Sequence, residues 1–174
     1  GPAVGNTVVP SLFTFEGKPV PVKASGAAFR VANPALWSAE TPNCYKLVLT
    51  LKDAKGTTLE CVSALVGFRE SVIHDGRYFL NGQKIKLHGA NRHEADPRYG
   101  HFVPRERQLE DLLLLKKANC NAVRDSHYPQ DDYWYYLCDV YGLYLVDEAN
   151  NEAHGYWQDL TNNIAWNPAF AAAI

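Results

Sequence analysis

Three stretches of this chain collect side chains that bind metals, carry protons or hydrogen-bond to hydroxyls, and all three have the same layout. His88-Gly-Ala-Asn-Arg-His-Glu94, Arg124-Asp-Ser-His-Tyr-Pro129 and Asp147-Glu-Ala-Asn-Asn-Glu-Ala-His-Gly155 each follow a short apolar run. Polar groups crowded at the C-terminal end of a buried strand form an active-site rim. Glu152 and His154 stand at i and i+2, a spacing that turns two side chains the same way at a strand end, so the pair can grip one ion. A mixed oxygen and nitrogen donor set argues for zinc or manganese rather than magnesium, which prefers oxygen ligands. Arg92 and Glu94 are placed to form an ion pair beside the first run.

The elements that must hold these groups are legible around them. Apolar runs at 84–87, 121–123 and 143–146 are short enough for buried parallel strands. Between them, residues 105–118 carry apolar side chains at 109, 112, 113 and 115, a helical spacing, with Pro104 suited to the first turn. Residues 131–141 form a second helix, with acidic residues in its first turn and Gly142 at the position where a helix ends in glycine. Asn167-Pro168 opens a third. Right-handed crossovers turn the resulting β-α-β-α-β order into adjacent parallel strands. The 84–87 and 143–146 strands are expected at its edges.

Upstream the grammar differs. Residues 45–51 and 57–66 alternate, with Asp53-Ala-Lys-Gly56 as the hairpin turn between them. Weaker strand signals lie at 12–15, 20–23, 68–73 and 78–80, and Asp75-Gly76 and Asn81-Gly82 supply further turns. Short strands and tight turns without helical period indicate a β-sandwich. The expected organisation is therefore a sandwich segment over residues 1–82 and three βα units over residues 83–174. A (β/α)8 barrel needs eight such units and typically ~250 residues, so these residues give an incomplete TIM barrel.

Asn91-Arg-His-Glu94, Ser126-His-Tyr-Pro129 and Asp147-Glu-Ala-Asn150 with Glu152-Ala-His-Gly155 resemble glycoside hydrolase family 2, most closely its large bacterial β-galactosidases. Asn33-Pro-Ala-Leu-Trp-Ser-Ala-Glu-Thr-Pro42 and Val66-Gly-Phe-Arg69 extend the resemblance, which runs from about Ala28 to the C-terminus. It implies an immunoglobulin-like sandwich ahead of a TIM barrel, and a retaining glycosidase with a β-galactoside substrate. A β-glucuronidase or β-mannosidase of the same family, or a non-catalytic structural or carbohydrate-binding piece, is the alternative.

The resemblance also assigns roles. His93 and His127 match histidines that hydrogen-bond sugar hydroxyls, a task imidazole suits because it can donate and accept at neutral pH. Glu152 and His154 match the ligands of an active-site Mg2+, with Mn2+ possible. Binding by these residues alone is expected to be weak, because the family draws a further carboxylate from beyond this chain. Asn91, Arg92, Glu94 and Arg124 are expected to support these groups. Retaining hydrolysis needs two carboxyl groups about 5–5.5 Å apart. The family places them on its fourth and seventh barrel strands, so no catalytic residue is expected here, and Glu148 is expected to make structural contacts at the rim. Asp125, Asn151 and Ala153 depart from the family's usual residues.

The 174 residues are 47% hydrophobic with a net charge of −2. Near-neutral charge gives no case for nucleic acid or an anionic membrane, and no apolar run approaches the ~20 residues that span a bilayer. Cys44, Cys61, Cys120 and Cys138 form no CxxC pair and are expected as free thiols in a reducing cytosol, so the localisation expected is cytoplasmic. Cys44 and Cys61 are candidates to face each other across the hairpin. The aromatic run Tyr133-Trp-Tyr-Tyr136 is expected to pack the second helix rather than to stack on sugar. Trp157, in a loop beyond the metal pair, is a candidate to reach sugar. An unclosed barrel is expected to self-associate or to require its missing half.

Overall fold

The computed structural model describes residues 5–25, 28–152, 154–160 and 163–172. The chain divides into two compact units, Gly1–Ile85 and Lys86–Ile174.

The first unit is all β. Its strands are β1 (Thr7–Thr14), β2 (Pro19–Val20), β3 (Lys23–Ser25), β4 (Ala28–Arg30), β5 (Cys44–Lys52), β6 (Thr58–Gly67), β7 (Ser71–His74), β8 (Arg77–Leu80) and β9 (Gln83–Lys84). Four of them form an antiparallel sheet in the order β2-β1-β5-β6, β3 pairs with β4, and β7-β8-β9 form a meander. The β5–β6 turn is built by Asp53, whose carboxylate accepts from the Lys55 and Thr57 amides at 2.9 and 2.8 Å. Gly56 takes a positive φ of 85° there, which glycine adopts without a Cβ clash. Asn81 and Gly82, both at positive φ, make the two-residue turn from β8 to β9.

The register of that β5–β6 hairpin corrects one expectation. Cys61 lies opposite Thr50 and Cys44 opposite Gly67, six pairing positions apart, so the two cysteines do not meet. Cys61 Sγ lies 3.6 Å from Thr50 Oγ1, and all four cysteines are free thiols.

The second unit alternates. It contains β10 (Gly89–Arg92), α1 (Arg105–Lys117), β11 (Ala122–Asp125), α2 (Asp132–Tyr141) and β12 (Tyr144–Val146), then short 3-10 turns at Trp157–Leu160 and Ile164–Trp166 and α3 (Asn167–Ala172). The strands form a parallel sheet in the order β10-β11-β12, with β10 and β12 at the edges among the described residues. Each unit step is thus strand, helix, parallel neighbouring strand.

The first parallel strand lies later in sequence than its apolar run suggests. Residues 83–84 belong to the antiparallel meander, and 86–88 form a link tied to the start of β11. Asn121 makes that tie, its side chain accepting from the His88 amide and donating to the Lys86 carbonyl, both at 2.9 Å. Strand pairing then begins at Gly89, opposite Ala122. A Cβ on Gly89 would lie 1.8 Å from the Ala122 carbonyl oxygen, so only glycine admits this approach. The second strand extends further than expected and includes Arg124 and Asp125.

The core of this unit is Leu112, Val123, Trp134, Leu137, Cys138 and Leu143. Burying a side chain of this kind contributes roughly 1.5–3 kcal/mol, which makes α2 the principal cover of the sheet. On α1 only Gln108 and Leu112 are fully buried, and Leu113, counted on the apolar face from its spacing, is exposed. Pro104 is the N-cap residue, just outside the helix. Asp131 caps α2 by accepting from the Tyr133 amide at 2.9 Å. Gly142, at φ 78°, ends it with an N–H to the Cys138 carbonyl. No helix among the described residues is long and apolar enough to cross a membrane.

Candidate active site at the ends of the parallel strands

β11 delivers Arg124 within the strand and His127 just after it, and the chain leaving β12 delivers Glu148. These three side chains converge. Arg124 Nε donates to Glu148 Oε1 at 3.0 Å, and Arg124 Nη2 donates to the same oxygen. His127 Nδ1 lies 3.1 Å from Glu148 Oε2 and 3.3 Å from Arg124 Nη2. The carboxylate is the nearer partner and the only acceptor of the two, so the arrangement favours a proton on Nδ1, leaving Nε2 to accept from a ligand hydroxyl. The Arg124 guanidinium, with His127 adding to it, holds the Glu148 carboxyl below the usual carboxylate range, against a smaller opposing effect of burial. The Ser126–His127 peptide is cis.

His93 follows β10 and reaches the same place. Its ring meets that of His127 edge to face, with centroids 5.2 Å apart and planes at 76°. Two imidazoles just past the ends of neighbouring parallel strands, one held by a carboxylate and the other exposed, present nitrogens that can donate to or accept from a ligand. His93, His127 and Arg124 are therefore brought together. Asn91 lies in β10 with an exposed side chain.

Behind the pair lies a buried polar layer. Arg92 is 7% exposed and spans several elements. Its Nε donates to Asp111 Oδ2 on α1 at 3.2 Å, its Nη1 donates to Gln130 Oε1, and Glu94 stands 3.9 Å away. The expected Arg92–Glu94 pair thus exists as the longest of these contacts. Glu94 instead accepts the Asp131 amide at 3.0 Å, next to the α2 cap. The Arg92 guanidinium also lies over the Trp134 ring, 4.0 Å from its centroid. Trp134 is fully buried and Tyr133 stacks on Tyr136, so the aromatic run packs the helix as expected. Gln130 and Asp111 were not singled out by sequence; neither belongs to a histidine- or carboxylate-rich motif, and only the fold brings them to Arg92.

The Glu152–His154 pair is placed differently from its expected position. β12 ends at Val146, so the pair sits in an irregular segment rather than at the strand end. The sheet loses the chain there because its next two residues are engaged sideways: Tyr135 Oη donates to Asp147 Oδ1 at 2.9 Å, and Glu148 is held by Arg124. Glu152 Oε1 and His154 Nδ1 nevertheless meet directly. They line a cleft of about 400 Å³ with Asn150, Tyr156, Trp166 and Phe170. One carboxylate oxygen and one imidazole nitrogen fit a divalent ion as two of its ligands. Among the described residues no group of three or more His, Cys, Asp or Glu side chains surrounds a metal position. Ala153 and the Trp157 side chain lie outside the described part of the structure.

The structure is similar to solved β-glucuronidases. One from Ruminococcus gnavus superposes with a TM-score of 0.77 at 29% identity over 84% of this chain and 25% of that chain. An FMN-binding β-glucuronidase from Facaelibacterium prausnitzii L2-6 gives 0.73 at 26% identity, covering 83% of this chain and 23% of that one. The Parabacteroides merdae β-glucuronidase gives 0.67 at 26% identity, over 81% and 19%. This chain therefore spans a quarter or less of their length. The family model for the glycosyl hydrolases family 2 TIM barrel domain matches residues 72–173, and the model described as glycosyl hydrolases family 2 matches residues 4–69. With a sandwich-type domain leading into the start of a TIM barrel, the chain belongs to glycosyl hydrolases family 2.

Proposed function

We propose that these residues form the hydroxyl-binding wall of a retaining β-glycosidase acting on β-galactosides. The observation that carries this reading is the Arg124–Glu148–His127 cluster facing His93 at the C-terminal ends of adjacent parallel strands. Barrel enzymes build their sites on that end of the sheet. The imidazole pair orients the sugar by donating to and accepting from ring hydroxyls, and such bonds accelerate reaction when they strengthen as the glycosidic bond breaks.

Neither Glu148 nor Glu152 acts as acid/base or nucleophile in this reading. Glu148 is committed to Arg124 and His127, and Glu152 to His154. The two carboxyl groups of retaining chemistry come from elsewhere in the natural polypeptide. Glu152 and His154 would hold a divalent ion, magnesium or manganese, which would supply positive charge to the site when bound.

A second reading is a β-glucuronidase. Its support is the likeness to the R. gnavus and P. merdae enzymes. The Glu152-x-His154 pair and its neighbouring motif favour the galactoside. The test compares aryl β-galactoside and aryl β-glucuronide as substrates of the natural full-length polypeptide, alongside His93→Ala and His127→Ala. Preference for the galactoside, with kcat/KM reduced about 10²-fold in each variant, supports the reading. Preference for the glucuronide replaces it with the second, and turnover unaffected by both variants removes the role of the pair.

A further inference from the structure

Asp125 is wholly buried on β11, two residues before His127. Its Oδ1 accepts from the Trp134 indole N–H at 3.0 Å, and its Oδ2 has no hydrogen-bond partner among the described residues. The same indole ring carries the Arg92 guanidinium at 4.0 Å, and Arg92 immediately precedes His93. Arg92 Nη2 is likewise buried without a partner. A single aromatic side chain thus links a buried acid behind one histidine to a buried base behind the other.

We infer that Asp125 is a positioning residue for the His93–His127 pair, acting through Trp134 and Arg92, and that its proton selects the setting of the two imidazoles. The charged and titratable groups around it are Arg92 and Glu94 from the first strand end, Asp147 after β12, and Tyr135 and Cys138 on α2. Burial raises Tyr135 to about 12 and Cys138 well above its ordinary range, so neither exchanges a proton near neutrality. Burial likewise raises Asp125, to about 7. The Trp134 hydrogen bond opposes that rise, Asp147 and Glu94 reinforce it, and Arg92 opposes it. Below neutrality the acid is neutral and Arg92 is left to Asp111 and Gln130, holding the end of β10. Above it, a carboxylate served by one indole N–H draws on Arg92 and loosens that hold. His93 moves with Arg92, and His127 with its own strand.

The consequence for sugar binding rests on the glycosidase reading; the titration and its reach to the imidazoles do not. The experiment uses the natural full-length polypeptide, its Asp125→Asn variant and its Trp134→Phe variant. The Trp134 indole signal and the His93 and His127 ring signals are followed by NMR, and KM for an aryl galactoside and an aryl glucuronide is measured across neutrality. The parent is expected to show an indole inflection near pH 7. Both imidazole signals should share that inflection, and KM should rise about three- to tenfold on the alkaline side, the worth of one hydrogen bond. Asp125→Asn abolishes the indole inflection and removes from the imidazole and KM profiles the component that tracks it, with KM staying near its acid-side value. Trp134→Phe keeps a ring under Arg92 but removes the one donor the carboxylate has among the described residues, so the imidazole and KM inflections move to higher pH. An indole signal that does not titrate, or histidine signals and KM profiles that Asp125→Asn leaves unchanged, overturns the inference. Failure to turn over either glycoside defeats the proposed function instead, and the indole and imidazole signals still decide the role of Asp125.

Discussion

Glu148 and His127, twenty-one residues apart, meet with Oε2 3.1 Å from Nδ1. That contact joins β11 to the segment leaving β12 and fixes the outward nitrogen of the imidazole. Arg124 occupies the other carboxylate oxygen, so Glu148 is fully engaged. Glu148→Gln keeps the size but weakens both contacts. On the glycosidase reading, kcat/KM of the natural full-length polypeptide is expected to fall by about 10- to 100-fold, the range for losing a charge-assisted hydrogen bond. The carboxyl titrates below its ordinary value in the folded chain. Its contribution to stability is therefore present above the unfolded pKa and lost as pH falls through the folded one, in the acid range. Thermal melts of parent and variant should converge there, and curves that stay parallel into acid would refute the pairing.

Asp125 has the opposite sign. Its folded pKa, about 7, stands above the unfolded value, so the folded chain binds the extra proton between the two. Stability falls as pH rises across that window, because the unfolded carboxyl ionises freely and the buried one must be charged in place. Asp125→Asn removes the penalty. It is expected to be close to neutral at acid pH and stabilising by about 2–4 kcal/mol at alkaline pH. Urea denaturation of both proteins on each side of neutrality measures the difference.

Leu137 is 1% exposed and packs in the cluster with Leu112, Val123 and Trp134. Leu137→Ala leaves a cavity that the aromatic neighbours cannot close. A loss of about 2–5 kcal/mol is expected, read as a lower denaturant midpoint with an unchanged slope. Leu113→Ala, on the exposed side of α1, is the control, with an effect within about 0.5 kcal/mol.

The parallel sheet has open edges at β10 and β12 among the described residues. Leu87 and Val146 are exposed beside them. Unpaired strand edges next to apolar side chains invite a further strand. The 174-residue chain by itself is expected to self-associate, and sedimentation across a concentration series tests it. An ideal monomer at high concentration that binds no hydrophobic dye contradicts the expectation.

Glu152 and His154 supply two ligands where magnesium takes six, mostly oxygen. Calorimetric titration of this chain is expected to find magnesium weak and manganese or zinc tighter, following the divalent series. Glu152→Gln and His154→Ala should each weaken the tighter ions about tenfold or more, in keeping with the loss of one ligand. Tight magnesium binding that survives both substitutions would locate the ion elsewhere.

Legible in the residues alone were the two grammars of the chain, the order of strands and helices beyond residue 88, and the presence of histidine and carboxylate clusters at strand ends. These follow from local causes: side-chain period, the Asp131 cap, the Gly142 terminator and the turn chemistry of residues 53–56 and 81–82. Long-range packing set where the first parallel strand begins, because the close backbone approach at Gly89 and the two hydrogen bonds made by the Asn121 side chain join distant residues. It also decided that Arg92 answers mainly to Asp111 and Gln130, and that Glu152 and His154 lie past the strand rather than on it. Asp125 shows the division most clearly. In the sequence it is one polar residue among several, and its neutral-range titration exists only because α2 lays Trp134 over it and removes it from water.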